Sequence, residues 1–545
     1  MRKLLFISAC LLSAVTYGQS SKFTFKLGDE YELPRKTEDL AFFGNPSDGI
    51  INLSLKKEEL NVLRFDPISL AQTDDKIINL PEATKNFNSE TVTDFRNGNY
   101  YWIHSDWDKE SGKEYLYYDK INVSSAKFTS QNNKMIEATK IAGVSENTKN
   151  GPPRGFGGLG KAFDFKVVNK YKYDYSADHK LLLVSYRLIP EDRNDKVNHD
   201  KIGLVVFDDN MNKVWSNEFT MPYTEAIMDN SDFSIDSKGN AYLLAKVYND
   251  DHRREKDKET GKADYNYEVL KFTKDSKEIL HSPVGIGDFF IKDASLVEST
   301  TNDMVVACTY SKKAKGDKTD GIFLAILNKD GKVVKYKNGY YEFPVADLEK
   351  FESERQQRKM EKKDDYEAPN LEVRDIVIQG DGSIFITSEE YFVYSKSSSD
   401  GQGNTYYYNE YHYENIIAAR IKASGEFDWV RKVPKRQMGI SGTNTLGFQL
   451  IADSSGYYFL YNDLKKNLEL ADDEAPKYYK EGGKGDVIVS RLDNRGNLTK
   501  SVLFDTKEEE VQIHPKEFTR LNGNHLIGRA IVKKNRYKPL LITIN

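Results

Sequence analysis

Phe233-Ser-Ile-Asp, the turn Ser237-Lys-Gly-Asn and Ala241-Tyr-Leu-Leu-Ala-Lys-Val-Tyr open the stretch, Asp232 to Gly285, that decides the fold. A charged loop follows, then Tyr267-Glu-Val-Leu-Lys-Phe-Thr-Lys, the turn Asp275-Ser-Lys-Glu and Ile279-Leu-His-Ser-Pro-Val-Gly. Four short apolar or alternating runs are separated by two tight turns and one long polar insertion. Such alternation, bounded by Asp, Ser, Gly and Asn, is the mark of strands joined by hairpins. The stretch therefore reads as one four-stranded antiparallel unit.

The pattern recurs along the chain. First-hairpin turns fall near Gly49, Gly98, Asp178, Gly239, Asn302, Gly382, Gly456 and Gly523. Second-hairpin turns follow at Asp66, Asn122, Asn210, Asp275, Asp330, Ser424 and Asn494. Internal repetition of a four-stranded unit predicts an all-β fold, a β-propeller, with eight blades on the direct count and seven if the weakly patterned first unit pairs otherwise. The last unit has three strands and ends in Leu540-Leu-Ile-Thr-Ile, whereas Phe23-Thr-Phe-Lys-Leu is a spare strand at the other end. Sharing one blade between the two leaves no long open edge, so the N-terminal strand is expected to close the last blade.

Extra length is not spread evenly. Between second and third strands lie Asp106 to Lys113, Pro190 to Lys201, Asn249 to Asn266, Ser311 to Gly321, Tyr394 to Thr405 and Leu464 to Gly485; between units lie Thr139 to Ala162 and Ala346 to Pro369. All of these connections leave the same side of a propeller disc, and repeat proteins place insertions on one face, often the one that binds. Leu348 to Asp365, dense in Glu, Lys and Arg without Gly or Pro, is expected to form one solvated helix over that face. Tyr391-Phe-Val-Tyr394, the Ser-rich Ser395 to Asp400 and Tyr406-Tyr-Tyr408 with Tyr411 and Tyr413 predict one hairpin longer than its neighbours, its tip projecting beyond the disc. Tyr391, Tyr394, Tyr406, Tyr408 and Tyr411 are accordingly the candidate partner-binding residues, since aromatics with a polar tip suit interfaces.

The chain begins with Arg2 and Lys3, an apolar run from Leu4 to Val15, and small residues up to Gly18, which reads as a signal peptide over residues 1–18 ahead of a single domain over residues 19–545. Ile7-Ser-Ala-Cys10 gives a minor alternative, a lipoprotein anchored at Cys10. No later stretch reaches the roughly 20 apolar residues of a spanning helix. Loss of the leader takes two of 79 basic residues and none of 84 acidic ones, leaving a net charge of −7. Neither a basic domain nor a basic stripe is present, so nucleic acid is not an expected partner. With Cys10 removed only Cys308 remains, in the apolar run Met304-Val-Val-Ala-Cys, and a buried small side chain is the expected role. An apolar segment followed by Gln19 at the cut site resembles exported proteins of Bacteroidota, and that resemblance implies a periplasmic address. The chain ends on a blade strand without a module like those that direct type IX secretion, which favours retention inside the cell envelope.

Motifs for chemistry fail on context. Gly155-Phe-Gly-Gly-Leu-Gly-Lys-Ala162 satisfies G-x-G-x-x-G but follows Asn150-Gly-Pro-Pro and precedes a strand-like run, so it reads as a linker with Phe156 as a further candidate contact. The eight His are never paired at metal-ligand spacing, and Asp208-x-Asn210-x-Asn212 lacks the Gly and Glu of a calcium loop. No G-x-S-x-G elbow occurs. The sequence thus predicts no catalytic, cofactor or metal residues. Its expected role is a non-enzymatic, periplasmic interaction scaffold whose protein partner is an outer-membrane secretion or assembly complex, with the chain as an accessory, plug-type subunit. A glycan-binding or glycan-active propeller is the alternative, for which Trp102, Trp107, Trp215 and Trp429 would need to converge at the funnel.

Overall fold

The computed structural model of the chain describes residues 22–80, 86–139, 141–143, 169–192, 194–299, 301–316, 318–328, 330–361, 368–369, 371–399, 405–440, 445–521 and 524–545. Residues 1–18, read as a signal peptide from the sequence and containing Cys10, lie outside these, as does Phe156. The described residues form a β-propeller. Eight sheets of four or more strands follow one another along the chain, at 38–79, 88–138, 171–224, 228–284, 290–342, 371–433, 449–505 and 512–544. Within each, successive strands pair antiparallel through hairpins, as Met228–Ile235, Ala241–Tyr248, Tyr265–Phe272 and Leu280–Val284 do in the fourth.

The burial pattern follows from stacking sheets face to face. A second strand is covered on both faces by neighbouring sheets, so Met304–Ser311 and Gly456–Asp463 are buried along their whole length and read as continuous apolar runs. An outermost strand has little to cover it, and Gln72–Asn79 alternates exposed with half-buried residues. Apolar side chains collect between consecutive sheets. Phe43, Ile51 and Leu53 of the first meet Tyr100 and Trp102 of the second, and comparable clusters fill each later junction. The ring is completed where Leu521 and Ile527 of the eighth sheet pack with Phe42, Ile50 and Leu63 of the first.

The closing strand is Phe23–Leu27, which pairs antiparallel with Arg536–Ile544 from Phe23↔Ile544 to Leu27↔Leu540. It continues the sheet whose other strands come from the far end of the chain. Phe23 is buried among Ile451, Phe504 and Leu526, with its ring edge-on to Tyr458 at 5.1 Å.

One turn recurs on the short-loop face and explains why Asp and Asn bound the strands. Asp236 accepts hydrogen bonds from the backbone N–H of Lys238 and Asn240 while the Asn240 amide donates back to it. Asp208 with Asn212, and Asp493 with Asn497, repeat the arrangement. The Asp208 motif is therefore a turn, as its sequence implied. The fourth position of the motif needs positive φ, supplied by Gly239 at 84° and Gly496 at 79°, and by Met211 at 61°. A side chain at Gly496 would also collide with the Trp429 ring, 2.9 Å from an added Cβ.

Two expectations change. The charged stretch after Val345 is two helices, Val345–Leu348 and Glu354–Glu361, because Leu348 is buried against Phe343, Leu371 and Ile417 and cannot ride on a solvated helix. The first unit is not weakly built either. Gly49–Lys56 is buried at seven of its eight residues, its polar Asn52 and Ser54 included, which hid the strand from a hydropathy pattern. Cys308 is buried, and burial pushes its thiol well above the usual range.

Candidate interaction surface

Connections on the short-loop face take about four residues, such as 237–240, whereas the opposite face carries 249–264, 345–361 and 464–485. The longest paired element also rises from that opposite face. Strands Ile384–Ser399 and Thr405–Ile421 pair in register from Ile384↔Ile421 to Ser399↔Thr405. Neighbouring strands stop early. Leu371–Ile378 pairs only as far as Glu390, Phe427–Val433 as far as Ile416, and Gln437–Gly439 covers Tyr411–Tyr413. Beyond that, Tyr394–Ser399 and Thr405–Glu410 pair with each other alone, a ribbon that at about 3.4 Å per residue extends roughly 20 Å past the sheet.

Strand parity sorts the tyrosines, since residues directly opposite one another share a face. Tyr394 faces Glu410, Lys396 faces Tyr408 and Ser398 faces Tyr406, so Tyr394, Tyr406 and Tyr408 stand on one face with Phe392 and His412. Tyr391, Val393, Tyr407, Tyr411 and Tyr413 stand on the other. Tyr394, Tyr406 and Tyr408 are 52%, 59% and 38% exposed. Tyr391 and Tyr411 are half-buried near the root, where the Tyr391 ring packs on Tyr413 at 4.8 Å and the Arg374 guanidinium lies 5.4 Å from it. The sequence set is thus divided. Three of its members form one exposed surface, two are half-buried at the root, and Tyr407, at 71% the most exposed of these tyrosines, was missed. Alternation counted back from the hairpin turn could have made the division.

A two-stranded ribbon is marginal by itself, so its foot must be held. Under the first face, His412 stacks on Phe392 at 4.8 Å and meets Tyr478, from the 464–485 insertion, edge-on at 5.7 Å. The Tyr478 hydroxyl donates to Glu414 at 2.7 Å, and Lys396 spans the ribbon to Glu410 at 2.6 Å. Deeper, the fully buried Lys435 ammonium donates to Glu389 at 2.8 Å and to the Tyr413 carbonyl at 3.0 Å, and Arg374 reaches Glu389 at 2.9 Å. Burial alone would raise the Glu389 carboxyl, but these two cations hold it below its ordinary value. None of these buried charges was readable as a set, because they come from three strands and a loop.

The funnel lined by the innermost strands is polar, and its carboxylates are used to join sheets. Asp232 accepts from the Ser295 hydroxyl and the Leu296 N–H, both at 2.8 Å, and Asp293 accepts from the Val373 N–H at 2.9 Å. Burial, with the Asp232 charge nearby, raises the Asp174 carboxyl to about 7. Beside it a cleft of about 890 Å³ separates the third and fourth sheets; its Arg187 is already paired with Asp200 at 2.5 Å and Glu225 at 2.7 Å. Trp102, Trp215 and Trp429 are buried between strands rather than gathered at the funnel. Among the described residues, the one grouping of metal-type ligands is Asp250, Asp251 and His252 on an outer loop, whose carboxylates also pair with Arg254 and Lys196. No helix among the described residues is long and apolar enough to cross a membrane.

No protein-family model matches the chain, and no curated protein sequence does. Among solved structures it is similar to the acylaminoacyl peptidase of Pyrococcus horikoshii, at 11% identity and a TM-score of 0.34, covering 93% of this chain and 57% of that one. It is similar as well to an uncharacterized protein of Listeria monocytogenes, at 11% identity and a TM-score of 0.36, over 83% of this chain and 93% of that one. A third is the β-propeller domain of the trilobed protease of Pyrococcus furiosus, at 10% identity and a TM-score of 0.33, over 87% and 97%. The chain spans a little over half the length of the acylaminoacyl peptidase.

Proposed function

We propose that the protein is a non-enzymatic, periplasmic scaffold that docks a protein partner, an outer-membrane secretion or assembly complex, on the face carrying its insertions. One observation carries the proposal: Tyr394, Tyr406 and Tyr408 stand exposed on one side of a ribbon that projects beyond the sheet and covers no core of its own. Rings held on a two-stranded support lose little entropy on contact, and aromatic anchors of this kind contribute about 2 kcal/mol or more each when buried by a partner. The aromatic and ionic foot of the ribbon supports the same reading, since it fixes the direction in which the rings are presented.

The test is changing Tyr394, Tyr406 and Tyr408 together to Ser in the exported chain and recovering it with cross-linked envelope proteins. Partner recovery is expected to fall at least tenfold with the melting temperature unchanged, while Asn494→Ser with Arg495→Ser, on the short-loop face, changes neither. Undiminished recovery from the triple variant, or a drop of more than about 5 °C in its melting temperature, would refute the assignment of this surface. Retention of the wild type on immobilised glycans without any protein partner would favour the glycan-binding alternative.

A further inference from the structure

A second site lies beside the ribbon, where two insertions meet. Segment 349–357 is tied to the 464–485 insertion through one carbonyl, that of Asp472, which accepts from the Phe351 N–H at 2.6 Å and from the Gln357 side-chain amide at 2.8 Å. Lys350 pairs with the Asp472 carboxylate at 3.3 Å, and Glu352 with the buried Lys432 at 3.0 Å. Phe351 is held at a φ of 60°, a left-handed conformation that a bulky residue adopts at a cost of about 1–2 kcal/mol. Between the two segments runs a groove of about 520 Å³, a volume in the range of small-molecule sites. Its walls include Phe351, Leu468, Leu470 and Leu498, none of them fully buried.

Lys500 lies in this groove and gives it a charge. Its ammonium donates to two neutral acceptors, the carbonyls of Pro434 at 2.8 Å and Asn467 at 3.0 Å. An ammonium has three donors, and among the described residues no carboxylate comes within 4 Å of this one. Asp463, which acts on it from farther off, is bonded instead by the Asn467 amide at 2.7 Å. Burial lowers the Lys500 pKa to about 8, so it is still mostly a cation at neutral pH. Glu469, the one carboxylate among the lining residues, is exposed to solvent. A half-buried cation beside carbonyls and apolar walls suits an anion attached to an apolar body.

We propose that this groove binds an apolar monocarboxylate of the alkyl, fatty-acid type, its carboxylate on Lys500 and its chain along Phe351, Leu468, Leu470 and Leu498. The proposal is independent of the ribbon and of its partner.

Decanoate, below its micellar concentration, is the probe, titrated calorimetrically into the chain from residue 19 onward. One decanoate per chain is expected, with decan-1-ol bound at least tenfold more weakly. Lys500→Met keeps the stem and removes the charge, and is expected to weaken decanoate at least tenfold, while Lys500→Arg stays within about threefold of wild type. Should Lys500→Met fail to fold, Leu470→Glu places a repelling charge on a half-buried wall residue and is expected to give the same loss. No decanoate binding by the wild type, equal binding of decanoate and decanol, or wild-type affinity in the folded Lys500→Met or Leu470→Glu variant would overturn the proposal. Tighter binding of an acetylated tripeptide ending in Leu than of decanoate would also overturn it, in favour of a protein C-terminus.

Discussion

Removing residues 22–29 tests the closure of the ring, and its cost can be worked from the side chains that the closing strand buries. Phe23 is only 6% exposed, and truncating a buried Phe to Ala costs about 3–5 kcal/mol in transfer energy and cavity formation. Phe25, its ring tilted against Phe504 at 4.6 Å, and Leu27 are partly buried, adding about 1 kcal/mol each on the lower side of full burial values. Lys22 contributes its bridge to Asp453 at 3.1 Å, which half-exposed is worth no more than about 0.5 kcal/mol. The deletion should therefore cost about 6 kcal/mol, a large share of the 5–15 kcal/mol by which folded domains are stable. It also uncovers the backbone edge of Leu540–Ile544, an apolar stretch that would then pair with other chains, while Tyr31 and Glu32 still cover Tyr537 and Arg536. Urea unfolding followed by tryptophan fluorescence, beside size-exclusion chromatography, reads both effects. Phe23→Ala alone should lower stability by about 3 kcal/mol or more and remain monomeric, because the strand is still there to cover the edge. A truncated protein that stays monomeric and unfolds at the wild-type urea midpoint would refute the reasoning.

The buried charges at the foot of the ribbon give two further predictions. Burial raises the Glu390 carboxyl to about 7, so the folded state binds a proton that the unfolded state releases from about 4.5; the associated stability is complete below pH 4.5 and is lost as pH rises through 7. Glu390→Gln should therefore stabilise the protein at pH 8, by at most about 3 kcal/mol, and have little effect at pH 5, and equal effects at the two pH values in urea melts would contradict this. Lys435→Met leaves Glu389 buried with Arg374 as its remaining cation and should cost about 3 kcal/mol, of which Glu389→Gln in the same chain should restore at least half; additive losses in the double variant would show that the two side chains do not act as a pair.

The repeat, its turns and its closure were legible in the sequence because each is local or nearly so. Asp236, Gly239 and Asn240 form their turn with one another, and alternation in Ala241–Tyr248 follows from strand geometry whatever lies next to it. Even the pairing of Phe23–Leu27 with the last strand could be inferred, since one unit lacked an edge and one strand lacked a unit. Composition also located the aromatic hairpin. What the tertiary structure alone decided is which rings are covered and which charges meet. Tyr391 and Tyr394, three residues apart in one strand, take opposite faces by alternation alone, but that Tyr391 is covered follows from Tyr413 and Arg374 packing on it at the root of the ribbon, and the shift in pairing between Glu389 and Tyr391 cannot be counted from residue types. Glu389 and Arg374, from two strands, meet Lys435 from a loop, and Phe351 lines the same groove as Lys500 because its segment bonds to the Asp472 carbonyl of an insertion more than a hundred residues further along the chain. A local pattern sets the conformation of each strand, but a buried charge is stabilised by whatever the fold brings within reach of it, and that depends on how the sheets are stacked around the ring.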